Sequence, residues 1–367
     1  MFEALLLASY GGPEGIDDIE PFLDRVLAGK RIPQARREAV TQRYRLFDGK
    51  SPLPGECRRF LDAISNRSAQ EGIPVKTYWG NFFAPPFLQD AFEQIERDNV
   101  KTVLVFASSA FGSPQSCRRY LDATRDALNT RTPSYVASAS IRRLPPFFET
   151  RAFIESVAKT ITEKLSASEG GKTLILFTAH SIPETDAKLA SYRRQLLHAS
   201  LQALACAGLT RDALIEEPKF PSESLILTPD AVATQIPSVS RDALKKRGLD
   251  AALAFQSRSG SPHIPWIGPD VREFLSQYVR ENSELSRVLI VPIGFFFENM
   301  ETIYDLDVEA RDLCNALKIQ YDRAPCCGAS EKMVDFAWQA LRMNVDELPT
   351  YRCEGDACRF QCRLYPR

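Results

Sequence analysis

Long apolar runs are missing from this sequence. No stretch approaches the roughly 18 consecutive apolar residues that would cross a bilayer. The first residues, Met1-Phe2-Glu3-Ala4-Leu5-Leu6-Leu7, set an acid before a short apolar run with no basic segment ahead of it, which predicts a first strand and not a signal peptide. A surplus of one charge is missing too. The chain has 46 Lys and Arg against 47 Asp and Glu, so no global field draws nucleic acid or anionic lipid. Nucleotide signatures are incomplete: Ser9-Tyr10-Gly11-Gly12-Pro13 lacks the third glycine of a dinucleotide fingerprint, and no complete Walker-type loop occurs. Histidine is scarce, at three residues. Cysteine is not scarce, but nine is an odd number, and without a secretory signal it predicts reduced thiols in the cytoplasm, not a disulfide framework.

What is present reads as an α/β protein. The 367 residues, 44% hydrophobic and 25% charged, are ordinary for a soluble chain of about two domains. Short β-prone runs at Leu5–Ser9, Val75–Trp79, Val103–Ala107, Leu174–Thr178, Ala251–Gln256 and Val288–Ile293 alternate with segments of helical period. One such helix face is Phe153, Ile154, Val157, Ile161 and Leu165. This alternation predicts parallel sheets flanked by helices. The pattern pauses at Leu144-Pro145-Pro146, which divides the chain into an N-terminal half, 1–145, and a C-terminal half, 146–345. Proline-rich residues near 209–250 read as an insertion or lid, and 346–367 as a Cys-rich tail. Folds of this class bind ligands at the carboxyl ends of their strands.

Those strand ends carry the candidate chemistry. Tyr10 follows the first strand and is either a phenolate ligand or a packing residue. His180 follows Leu174–Thr178 directly and could be a base, a metal ligand or a structural imidazole. His198 sits among Arg193, Arg194 and Gln195 on a helix, where a solvent-facing role is simplest. Glu298, Glu301, Asp305 and Glu309 step by three, four and four residues after a strand ending in three phenylalanines. On a helix that spacing makes one acidic stripe. It is either a solvated face or a path for cations or protons into a cavity.

In order along the chain, Leu6-Leu7-Ala8-Ser9-Tyr10-Gly11-Gly12-Pro13, Arg43-Tyr44 with Gly49-Lys50-Ser51-Pro52-Leu53, Tyr78-Trp79-Gly80-Asn81, Ser116-Cys117-Arg118-Arg119-Tyr120, Thr178-Ala179-His180-Ser181-Ile182-Pro183, Phe255-Gln256-Ser257-Arg258-Ser259-Gly260 and Pro292-Ile293-Gly294-Phe295 with Tyr304-Asp305-Leu306-Asp307 resemble the ferrochelatases. The resemblance implies two Rossmann-like halves without a nucleotide, a porphyrin cleft between them, and insertion of ferrous iron. It makes His180 the active-site histidine and Glu301 its partner carboxylate. It makes Tyr10 the axial tyrosine of enzymes acting on coproporphyrin III, and Arg43, Tyr44, Ser51 and Tyr120 the residues that hold the tetrapyrrole. Similarity around Trp79, Cys117 and Arg118 to actinobacterial members implies coproporphyrin III as substrate and coproheme as product.

Two departures from the family stand out. Phe297-Glu298-Asn299 stands where Ser-Asp-His is usual, and Gly268 replaces a glutamate. They leave open a weakened paralogue that binds tetrapyrrole or metal, or a chelatase for another divalent metal. Five of the nine cysteines follow residue 325. Cys353, Cys358 and Cys362 could order the short tail by binding a metal. Ferrochelatases that resemble this chain in ending with three cysteines use a fourth upstream to hold a two-iron two-sulfur cluster, and Cys117 is in that place. Adjacent Cys326 and Cys327 are alternative ligands. The expected partner is a porphyrin, with no nucleic acid and no transmembrane segment.

Overall fold

The apolar runs fold as strands of two parallel sheets. The computed structural model describes residues 1–29, 32–166, 171–184, 189–210, 243–259 and 263–345. Most of the insertion near 209–250 and the whole tail, with Cys353, Cys358 and Cys362, lie outside the described residues. In the first half, β1 (Ala4–Ser9), β2 (Lys76–Asn81), β3 (Thr102–Ala107) and β4 (Ser140–Arg143) run in the order β2-β1-β3-β4. The second half repeats that order as β6-β5-β7-β8, from β5 (Lys172–His180), β6 (Leu249–Gln256), β7 (Leu285–Val291) and β8 (Gln320–Arg323). Every strand pair is parallel. The central strands are buried on both faces, which is why they read as unbroken apolar runs without alternation.

β4 and β8 escape the sequence pattern. Each has four residues, Ser-Ile-Arg-Arg and Gln-Tyr-Asp-Arg, and each is the edge strand beyond the third of its sheet. Polar edge strands carry little hydrophobic signal.

One aromatic core joins the halves. Phe60 lies 5.1 Å from Phe106, Phe106 lies 5.5 Å from Phe296, and Phe296 lies 5.1 Å from Phe147. Helix Glu331–Arg342 packs on Arg151–Ser166 and also on Leu53–Glu71 of the first half, and Phe2 N donates to Leu341 O at 2.8 Å. This core sets the carboxyl ends of β1 and β5 at a shared cleft.

Candidate active site

The second sheet supplies the titratable groups. β5 ends at His180 in register with Gln256, the last residue of β6. After β7 the chain passes close over β5: a Cβ on Gly294 would stand 2.4 Å from Ala179 Cβ, so only glycine permits the crossing. The chain then enters a π-helix, Thr302–Ala310, with Glu301 at its start. π-Turns concentrate at functional sites.

The four-carboxylate stripe needs correcting. Glu298 lies before the helix and turns toward the exit of β8, where it accepts from Arg323 Nη1 at 2.8 Å, Cys326 N at 2.8 Å and Thr302 Oγ1 at 2.7 Å. Arg323 is shared with Asp307. The stripe that remains is Glu301, Asp305 and Glu309. Asn299 caps this helix: its Oδ1 accepts from Thr302 N at 3.0 Å and its N donates to Thr302 Oγ1 at 3.0 Å.

His180 and Glu301 meet. His180 Nε2 lies 3.4 Å from Glu301 Oε1, with the side chains 31% and 42% exposed to the cleft. The other ring nitrogen, Nδ1, faces Ser181 O. With its proton donated to that carbonyl, Nε2 becomes the basic nitrogen. Burial pulls the imidazole pKa down, but the Glu301 carboxylate and the Ser181 carbonyl outweigh it and raise the pKa above its ordinary value. Gln256 Nε2 donates to Glu301 O at 3.0 Å, tying β6 to the start of the π-helix.

Asp305 is the next group along the stripe. Ser257 Oγ donates to it at 2.5 Å, and Arg43 Nη1, reaching across from the first half, lies at 3.5 Å. Ser257 adopts a left-handed backbone, φ 64°, a conformation a serine pays for and that aims its hydroxyl at the acid. Burial raises the Asp305 pKa, Ser257 opposes the rise, Glu301 adds to it, and the balance stands at about 6. That shift has a sign. The folded pKa exceeds the ordinary 3.8, so folding takes up a proton between the two values, and the associated stability is full below about pH 4 and lost as pH rises through 6. Asp305→Asn should therefore gain up to about 3 kcal/mol over the native chain at pH 8 and little at pH 4. Thermal melts at the two pH values check this; an equal gain at both would contradict it.

The first half contributes an aromatic wall. Tyr10, at the end of β1, lies 4.7 Å from Phe83 and 6.2 Å from Phe22, and Tyr44 lies 5.8 Å from Phe22. Met300, Ile303 and Tyr304 from the second half pack into the same cluster. Burial and then Glu301 push the Tyr10 pKa up, with Arg119 opposing, so Tyr10 is a neutral phenol here. Arg43 spans the cleft: it lies 3.7 Å from Glu309 and its guanidinium sits 4.5 Å from the Tyr304 ring.

The other predicted residues are placed differently. Ser51 is buried against Gly12 and its hydroxyl accepts from Leu53 N at 3.3 Å, starting helix Leu53–Glu71. Tyr120 is buried with its hydroxyl 2.8 Å from Ser108 Oγ. Cys117 is buried in a second π-helix, Pro114–Arg118, and its thiol donates to Ser113 O at 3.4 Å. Gly268 precedes Pro269 through a cis peptide, and its carbonyl accepts from Arg193 at 3.5 Å. His198 packs edge-on to Phe148, not into solvent.

The ferrochelatase family model matches residues 3–344. This chain belongs to the ferrochelatase family. It is therefore a metal chelatase of the lyase class, an enzyme of heme biosynthesis that inserts iron into a porphyrin. It is 29% identical over 372 residues to a ferrochelatase of Rhodopirellula baltica, covering 99% of this chain and 94% of that one. It is 33% identical over 337 residues to a coproporphyrin III ferrochelatase of Streptomyces coelicolor, covering 90% and 82%. Among solved structures, SirB from Bacillus subtilis with Fe3+ is 11% identical with a TM-score of 0.48, covering 93% and 95%. Among the described residues, no helix of this ferrochelatase is long and apolar enough to cross a membrane.

Proposed function

We propose that this ferrochelatase acts on coproporphyrin III with ferrous iron, giving coproheme, and that His180 and Glu301 carry the insertion. The observation that carries the reading is the 3.4 Å approach of His180 Nε2 to Glu301 at the mouth of an aromatic cleft. A porphyrin sheds two pyrrole protons as metal enters. Neutral His180 accepts a proton at Nε2, and the adjacent Glu301 carboxylate stabilises the imidazolium that results. Asp305, with its pKa near 6, takes protons onward, and Glu309 continues the stripe toward Arg272, 3.4 Å away. Glu301, Asp305 and Glu309 also suit a hard or borderline divalent cation in transit. Tyr10 would serve as the tyrosine toward iron, and Arg43 and Tyr44 would hold the macrocycle, as the resemblance implies.

The substrate rests on the relatives named coproporphyrin III ferrochelatases and on chemistry. Coproporphyrin III carries four propionates where protoporphyrin IX carries two. Rim donors left unpaired by the wrong porphyrin cost about 1–3 kcal/mol each. Side by side with the same metal, kcat/KM should be at least about tenfold higher for coproporphyrin III. Equal or better use of protoporphyrin IX would overturn the substrate and leave the chelatase.

A two-iron two-sulfur cluster on Cys117, Cys353, Cys358 and Cys362 belongs to the same proposal, in a cytoplasmic protein. Cys117 fits as one ligand: it is buried, and ligation would exchange its thiol hydrogen bond to Ser113 O for a metal–thiolate bond. Such a cluster supplies about two irons and two sulfides per chain. Anaerobically purified protein should be coloured with that content; colourless protein would refute the cluster.

A further inference from the structure

Among the described residues, two arginines on the aromatic wall have no acidic ion-pair partner. Arg119 holds its guanidinium over three rings, 4.8 Å from Phe83, 5.7 Å from Phe82 and 5.8 Å from Tyr10. Arg25 donates from Nε to Phe83 O at 2.7 Å and lies 5.3 Å from the Phe87 ring. Both are half-buried, and among the described residues neither forms an ion pair. Arginines on adjacent elements differ. Arg37 pairs with Glu20 and Asp24, Arg58 with Glu14, and Arg43 with Asp305 and Glu309. A half-buried guanidinium without a counter-ion is costly to keep. Stacked on a ring, it still presents its in-plane N–H groups to a carboxylate.

We infer that Arg119 and Arg25 form a carboxylate-binding corner of the cleft and receive propionates of the substrate porphyrin. The inference rests on the proposed function, since it takes a porphyrin as the ligand. Phe82, Phe83 and Tyr10 wall this side of the cleft, with the Arg119 guanidinium over their rings and Arg25 held at the Phe83 carbonyl, so both cations stand where the rim of a bound macrocycle would reach. Arg43 is already committed to the acid stripe of the opposite half, so it meets a propionate only by leaving Asp305 and Glu309. Arg119 and Arg25 give up no ion pair in doing so. An incoming carboxylate forms charge-assisted, bidentate bonds with such a group.

The test is equilibrium titration of the full chain with coproporphyrin III and with its tetramethyl ester, whose esterified rim carries no ionised carboxylate. Arg119→Met should weaken coproporphyrin III at least about tenfold, Arg25→Met about as much, and Arg119→Lys less than Arg119→Met. Ester affinity should stay within about twofold in all three, which a merely structural role would not allow. Unchanged coproporphyrin III affinity in both Met variants, or equal weakening for the ester, would overturn the corner. Failure of the native chain to bind coproporphyrin III at all would instead remove the proposed function, and the corner with it.

Discussion

His180→Ala should lower the turnover number for metal insertion at least about a hundredfold, the scale of losing a positioned acid or base. Porphyrin affinity should move only a few fold, because the aromatic wall is built by the other half. The expectation follows from where the imidazole sits. Its Nδ1 is occupied by the Ser181 carbonyl and its Nε2 faces Glu301, so one nitrogen is fixed and the other is left for chemistry. His198 is packed against Phe148, and the position two residues before Glu301 holds Asn299, whose side chain caps the helix. Steady-state kinetics with a single porphyrin and metal separates the two effects. Near-normal turnover in His180→Ala would take the residue out of the mechanism.

Glu301→Gln should cost a similar factor and move the pH profile as well. The substitution keeps the shape of the side chain and removes its charge. Glu301 is the main cause of the raised His180 pKa, so in the variant that pKa falls. The base is then neutral at lower pH, and the acidic limb of kcat against pH should shift downward. Turnover should still drop at every pH, because the imidazolium loses its counter-ion and the metal loses a carboxylate. An unshifted limb would mean that the two side chains are not coupled in solution. The backbone of Glu301 remains held by Gln256 in either case, so the comparison isolates the carboxylate.

Much of the frame was legible because it is hydrophobic and local. Runs such as Leu5–Ser9 and Leu174–Thr178 are buried on both faces, and that burial is what makes them continuous. His180 was placed at a strand end by the same run. The rest was lost where tertiary contact decides. A spacing of three, four and four looks like one stripe, but the helix begins only at Met300, after Glu298, and Glu298 is claimed by Arg323 from a distant strand. Gln256 and Ser257 stand in a recognisable motif, yet their partners, Glu301 and Asp305, follow from sheet register and an unusual backbone at Ser257. Arg119 gives no local signal at all, since its lack of an acid partner among the described residues is a property of the folded wall.

The most direct measurement is anaerobic insertion of ferrous iron into coproporphyrin III by the purified full chain, followed by absorption at substrate well above enzyme. The account predicts many turnovers per chain for the native protein and at least about a hundredfold loss in both His180→Ala and Glu301→Gln. Binding of the porphyrin without turnover in the native protein, or full turnover in both variants, would contradict it.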